Sequence, residues 1–361
     1  LVLLGTLSSR ADDLDQPDLT GPRWQPHDFT FTTPARPANP FLVRFDVELR
    51  GPGGVTLRQP GFYDGEGKWN ARVAPSEEGH WSLTTRSDLP DLDGRHAEFT
   101  CVRNPSPEAH GGLRVDPDHP YHFRHEDGTR PFLMGYECDW LWALDLGRPS
   151  IDITERFLDD LKSNSFNYVI LNAYAHDCAW RKGRTSDDDH GPPSIYAWEG
   201  TNEHPDHGRL NLAYWTHYDR GIAALCKRGM IAHVLSKVYN KLVNWPAKGS
   251  PEDDLYFRWL VARYAAYPNI HWDLSKEANN EKDLAYKLDR LRFLRQEDSY
   301  RRPLTVHDDR RTYDEGAYDS VLDYRSDQQH SRWYETLRDH RRRHTWPEVN
   351  AEVRYDQGPS H

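Results

Sequence analysis

Ionisable side chains recur along this sequence at the ends of short apolar runs. RPFLMGY, residues 130 to 136, is followed by Glu137 and Asp139, with Trp140 next. FNYVILNAY, residues 166 to 174, carries Asn172 and Tyr174 and leads to His176 and Asp177. MIAHVLS, residues 230 to 236, holds His233 and is followed by Lys237. NIHWDLSKEANNEK, residues 269 to 282, presents Lys276, Glu277, Asn279 and Glu281. RPLTVH ends in His307, with Asp308 next; SVLDYR supplies Asp323, Tyr324 and Arg325; PEVNAE ends in Glu352. Two opposed carboxyl groups suit glycosidic cleavage. One protonates the leaving oxygen, and the other attacks the anomeric carbon or activates water; a separation of about 5.5 Å gives retention and about 6.5–9.5 Å inversion. Tyr174, His233 or His307 would instead suit a polysaccharide lyase, as the base that removes a proton beside a uronate carboxylate.

Other chemistries find less support. The pairs DPDHP, SDDDH and HPDHG sit in Pro- and Gly-rich stretches and no HExxH is present, so no metal and no cofactor are expected. No GxSxG elbow marks a serine hydrolase.

Such groups need a scaffold that brings strand ends together. From residue 128 the pattern alternates strand and helix: amphipathic helices are predicted at 153 to 164, 211 to 229, 255 to 267, 285 to 298 and 331 to 343, between seven strands. Seven such units fit an eight-stranded (β/α)8 TIM-type barrel, whose catalytic groups lie at the C-terminal strand ends. Only nine residues follow Glu352, so the barrel is expected to be truncated before strand eight. The N-terminal part reads differently. FLVRFDVEL, residues 41 to 49, alternates with Phe41, Val43, Phe45, Val47 and Leu49 on one face. Short strands are also predicted at 28 to 33, 69 to 73, 81 to 85 and 96 to 102, which makes residues 22–104 an all-β sandwich. Residues 105–127 are then a linker and barrel lead-in, and 128–361 the barrel.

The net charge of −11 opposes a nucleic-acid or anionic membrane partner, and no apolar run is long enough to span a membrane. The run RRRH at 341 to 344 reads as the solvated end of a helix. LVLLG at the start resembles the tail of a signal-peptide apolar region, so the expected location is secreted or periplasmic. Thirteen Trp and 19 Tyr exceed ordinary core needs enough to suggest sugar-binding platforms.

Three motifs sharpen the reading: HGGLRVDPDHPYHFRHEDGTRPFLMGYECDWLWAL at 110 to 144, WDLSKEAN at 272 to 279 and EVNAE at 348 to 352. With them the chain, from about residue 22 onward, resembles microbial glycoside-hydrolase-like proteins. These join a β-sandwich of unknown function to a clan-A-type barrel, with apiosidase-like and β-carrageenase-like relatives. The resemblance implies a retaining glycosidase acting on a plant, algal or microbial poly- or oligosaccharide. Glu277 matches its acid/base and Glu352 its nucleophile. The family motif has Asn where Lys276 stands, which shifts the sugar 2-hydroxyl contact to Asn279 or Asn280. Strand alternation is expected to point Lys276 away from Glu277. Substrate contacts are expected from Glu137, Asp139, Trp140, Asn172, Tyr174, His233, Lys237, Lys276, Asn279, His307 and Tyr324. The insertion 177 to 210 is expected to wall the groove, with Trp180 and Trp198 as platforms. A glycan-binding protein without catalysis is the non-enzymatic alternative.

Overall fold

The computed structural model describes residues 19–178, 191–308, 310–328 and 332–352. The N-terminal region is all-β: β1 (Leu19–Pro22), β2 (His27–Thr32), β3 (Phe45–Arg50), β4 (Thr56–Pro60), β5 (Phe62–Tyr63), β6 (Lys68–Val73), β7 (Gly79–Ser87) and β8 (His96–Val102). They form two sheets, β1-β8-β7-β3-β4 and β2-β6-β5. The alternating apolar residues meet between the sheets: Phe29, Phe31, Phe45, Val47, Leu49, Trp69, Trp81, Leu83 and Phe99 make one core. Each such large apolar side chain contributes about 1.5–3 kcal/mol by leaving water. The strand expected over 41 to 49 starts only at Phe45, because Asn39 caps a one-turn 3-10 helix at Pro40–Leu42 through a bond to Phe41 N.

A hairpin, β9 (Leu113–Val115) and β10 (Phe123–His125), leads into the α/β region. There follow β11 (Gly135–Glu137), α1 (Asp152–Ser163), β12 (Tyr168–Asn172), the hairpin β13 (Trp198–Gly200) and β14 (Pro205–Leu210), α2 (Leu212–Lys227), β15 (Ile231–Val238), α3 (Pro251–Tyr264), β16 (Ile270–Lys276), α4 (Leu284–Glu297), β17 (Leu304–Thr305), α5 (Arg310–Asp314), β18 (Arg325–Gln328), α6 (Trp333–Arg341) and β19 (Glu348–Glu352). β11, β12, β15, β16 and β17 pair in parallel in chain order, β18 pairs in parallel with β19, and a parallel bridge from His307 to Ser326 joins the two groups. This is a TIM-barrel-like arrangement with seven parallel strands among the described residues. No helix among those residues is long and apolar enough to cross a membrane.

Two strands differ from expectation. RPFLMGY was expected to be a buried strand, yet pairing is confined to Gly135–Glu137 and Phe132 is 81% exposed. SVLDYR was expected to be strand six, but residues 320–322 belong to a turn and β18 begins at Arg325.

Helix starts follow local chemistry. Ser250 caps α3 through Asp253 N at 3.2 Å with Pro251 behind it, and Asp283 caps α4 through Tyr286 N at 3.0 Å. Strand alternation sets the layers. Val169, Leu171, Ala232, Val234, Trp272 and Leu274 face the helices. Tyr168, Ile170, Ile231, Leu235, Tyr324 and Ala351 fill the interior.

The sandwich is fixed to the barrel by buried polar contacts on α3. Arg72 on β6 donates to the Arg263 carbonyl at 2.9 Å and reaches Asp219 at 3.3 Å. Arg263 binds Asp219 at 2.6 Å and Asp64 at 3.2 Å. Gln59 donates to the Val261 carbonyl at 3.1 Å, and the Tyr300 hydroxyl accepts from Ala74 N at 2.8 Å. Phe62 packs on Trp259 with centroids 5.9 Å apart.

Candidate active site

The parallel strands place their C-terminal ends on one side, and the charged groups at those ends converge there. Trp272 and Leu274 of β16 face the helices, so strict alternation would send Lys276 outward with them. Instead its ammonium enters the mouth of the barrel. It donates to Glu137 and lies 3.2 Å from Asp139 Oδ2 and 3.6 Å from Glu352 Oε2. One lysine thus gathers carboxyl groups from the beginning and the end of the strand series. The next residue leaves the extended conformation altogether: Glu277 has φ 55° and ψ 42°, in the left-handed region where a side chain with a Cβ is strained.

The cluster is nearly dry, with side-chain exposures of 5% for Lys276 and 4% for Glu352. Burial would lower Lys276, yet Asp139, Glu137 and Glu352 hold it well above the ordinary lysine range. Burial likewise opposes the charge of Asp139, but Lys276 and Lys241, the latter at 3.3 Å, outweigh it and hold that carboxyl low. Glu137 goes the other way. Burial pushes it up, with the charges of Asp139 and Glu352 adding to the effect against Lys276. Three carboxyl groups thus share two ammonium groups, and Glu137 is the one whose proton affinity is raised.

Glu277 has different company. Gln328 Nε2 lies 3.5 Å from its Oε1, and Gln328 stands opposite Glu352 in the register of β18 and β19. In the amide orientation that satisfies donors and acceptors, Asn279 donates to Glu277 Oε2 at 3.2 Å and to its carbonyl at 3.3 Å. Among the described residues Glu277 thus accepts from neutral amides, whereas Glu352 lies near the Lys276 ammonium. His307, lowered by burial and by Lys276 against Asp273, feels the charges of both Glu352 and Glu277. The local rival Glu281 is engaged elsewhere, accepting from Lys248 at 2.6 Å and from Asp283 N at 2.8 Å.

Several buried polar atoms at the mouth have no hydrogen-bond partner among the described residues: both amide atoms of Asn172, Nε2 of His307 and Nε1 of Trp140. Buried polar groups are ordinarily hydrogen-bonded, so these are the groups a hydroxyl-rich ligand would satisfy.

Other expected contacts lie outside the mouth. Lys237 turns toward the helices, where it binds Asp253 and the Tyr286 hydroxyl, both at 2.6 Å; burying its charge demands that pairing. His233 and Tyr324 sit within the barrel. His233 Nε2 donates to Asp273 Oδ2 at 2.9 Å, which leaves Nδ1 to accept from the Tyr168 hydroxyl at 2.7 Å, with the Tyr324 hydroxyl 3.3 Å from that of Tyr168. Tyr174 and Trp198 belong to an aromatic layer with Trp142, Tyr214, Trp245 and Tyr256. Trp198 is 2% exposed and offers no sugar platform. Trp180 and much of the proposed groove wall lie outside the described residues. Two residues of the mouth, Lys241 and Gln328, escaped the sequence reading. Lys241 follows β15 in a loop without periodicity, and Gln328 was hidden because strand six runs three residues past its expected end.

Residues 118–361 match the family described as apiosidase-like, catalytic domain. The chain belongs to that family. Residues 20–88 match a domain of unknown function, DUF5060, so the apiosidase-like barrel is preceded by a separately recognised β domain. Among curated proteins no relative matches. Among solved structures, a Bacteroides vulgatus protein described as a candidate glycoside hydrolase is 20% identical with a TM-score of 0.76, over 92% of this chain and 64% of that one. A family 5 glycoside hydrolase from the same organism is 19% identical with a TM-score of 0.50, over 71% of this chain and 56% of that one. Another structure, described as a glycoside hydrolase, is 18% identical with a TM-score of 0.51, over 71% of this chain and 59% of its own. These likenesses are of fold, and the apiosidase-like chain spans less than two thirds of each of those proteins.

Proposed function

We propose that the protein is a retaining O-glycosidase acting on a plant, algal or microbial poly- or oligosaccharide. In this reading Glu277 is the acid/base and Glu352 the nucleophile. The observation that carries it is Gln328, which contacts Glu277 while standing beside Glu352 in register, so that carboxyls from β16 and β19 share one mouth. Their surroundings suit the two roles. A nucleophile works as an anion, and Glu352 has an ammonium 3.6 Å away; an acid must be able to hold a proton, and the side-chain hydrogen-bond partners of Glu277 among the described residues are neutral amides. Asn172, His307 and Trp140 are assigned to binding sugar hydroxyls.

The test is a screen of plant, algal and microbial glycans, followed by proton NMR of the first product formed. The initial product should keep the anomeric configuration of the substrate. An inverted product would remove the covalent step, and ultraviolet absorbance from a new double bond would establish a lyase instead.

Lys276 allows a second check by pH. Its ammonium is held by Asp139, Glu137 and Glu352, and by reciprocity it favours their ionised forms. In Lys276→Met those carboxyls keep protons to higher pH. The acidic limb of kcat/KM should therefore move up by about one pH unit or more, with the loss of rate greatest at the acid end. An unmoved limb would show that Lys276 does not act on the nucleophile.

A further inference from the structure

A polar layer lies behind the last two strands, on the side away from the mouth. Asp327 of β18, Glu348 of β19 and His340 of α6 bring one ligand-type atom each to within 4.8 Å of one another. His340 Nδ1 is 2.9 Å from Glu348 Oε1 and 3.4 Å from Asp327 Oδ2. Asp327 and His340 are almost wholly buried, and the Asp327 carboxyl faces His340 Nδ1 and Glu348. The other oxygen of Asp327 accepts from Arg325 Nε at 2.6 Å.

The geometry of these donors suits a cation. Arg325 and Arg343 face this layer and also reach Asp314, at 3.5 Å and 2.8 Å. Donors held at about 2.1 Å around a tetrahedral ion stand about 3.4 Å apart; the 3.4 Å between His340 Nδ1 and Asp327 Oδ2 matches this, and the 2.9 Å hydrogen bond from His340 to Glu348 would give way to the ion by a small opening. One imidazole and two carboxylates suit a zinc-class ion, whereas calcium takes six to eight oxygens. His344 lines the cavity beside His340, with its backbone N–H on the His340 carbonyl at 2.9 Å; its Nδ1 lies 3.6 Å from Asp319 Oδ1, and its Nε2 has no hydrogen-bond partner among the described residues.

We propose that Asp327, His340 and Glu348 bind a divalent transition-metal ion of the zinc class, with His344 or water completing its coordination. The ion is structural. It ties α6 to β18 and β19, the strands that carry Gln328 and Glu352 to the mouth. The site stands on its own residues and does not depend on the glycosidase reading.

The test uses the whole chain, stripped of metal by a chelator and then titrated with zinc, manganese or calcium chloride. Bound metal is measured by equilibrium dialysis and stability by thermal unfolding. One equivalent of zinc should bind and raise the Tm by several degrees, and calcium should do neither. His340→Gln and Glu348→Gln, checked for folding by circular dichroism, should each weaken zinc binding on the order of tenfold or more. The proposal is overturned if the unaltered chain binds no zinc, or if both variants bind it as tightly as the parent. It is equally overturned if acidification stabilises this layer while zinc does not, since a proton shared among His340, Glu348 and Asp327 would then hold it together.

Discussion

Glu352→Gln is expected to lose turnover by at least about a thousandfold on every substrate the protein cleaves. The substitution keeps the shape of the side chain and removes the charge that, in the proposed mechanism, attacks the anomeric carbon. Every substrate needs that attack, whatever its leaving group, so the loss should be as large on an activated aryl glycoside as on a native glycan. The substitution also takes one carboxylate away from Lys276, which retains Glu137 and Asp139. The fold should therefore hold, and circular dichroism with thermal unfolding checks that. A variant that folds and still turns over within tenfold of the parent removes Glu352 from the chemistry.

Glu277→Gln should behave differently, and the difference is diagnostic. A general acid contributes about 10²–10⁴-fold, and its contribution depends on how much the leaving oxygen needs a proton. Unactivated glycans should lose rate over that range, and a dinitrophenyl glycoside much less. Azide should then rescue turnover by attacking the glycosyl-enzyme, giving a glycosyl azide of retained configuration. Uniform loss across leaving groups, with no azide product, would take Glu277 out of the acid/base role. Glu277 already accepts contacts from the amides of Gln328 and Asn279, so a glutamine there can keep one of them by rotating its own amide.

Much of this architecture can be read in the sequence, because it depends on local periodicity. The alternation in 41 to 49 identifies Phe45, Val47 and Leu49 as core residues, and helical spacing finds α1 to α4 and α6. What fails to show is what distant packing decides. Asp46 has the pattern of an outward residue on β3, yet it is buried because Arg258 of α3 lies over it. β18 reads RSDQ and has no apolar signature, since its outer face meets the polar layer of Arg325 and Asp327. The mouth, Lys276 included, is legible as residue types at strand ends, but the inward turn of Lys276 is not set by alternation, which Trp272 and Leu274 would continue outward. The surplus of Trp and Tyr goes largely into the layer between the strands and α2 and α3, around Tyr174, Trp198, Tyr214 and Trp215. Composition alone cannot separate such a layer from a sugar groove.

The attachment of Arg72 and Gln59 to α3 bears on how this architecture can be taken apart. A linker-tethered module can be moved between enzymes as a cassette, since its removal exposes only surface that was already wet. Here the β domain supplies Phe62 and Ala74 to the barrel's own apolar cluster, and Arg72 and Asp64 to the charges around Asp219 and Arg263. Excision would leave Arg263 and Asp219 to find solvent on a helix face otherwise built from Trp259 and Tyr264. The natural unit of recombination is therefore the two domains together with their shared face, and a graft of either one must carry the complementary half of that face with it.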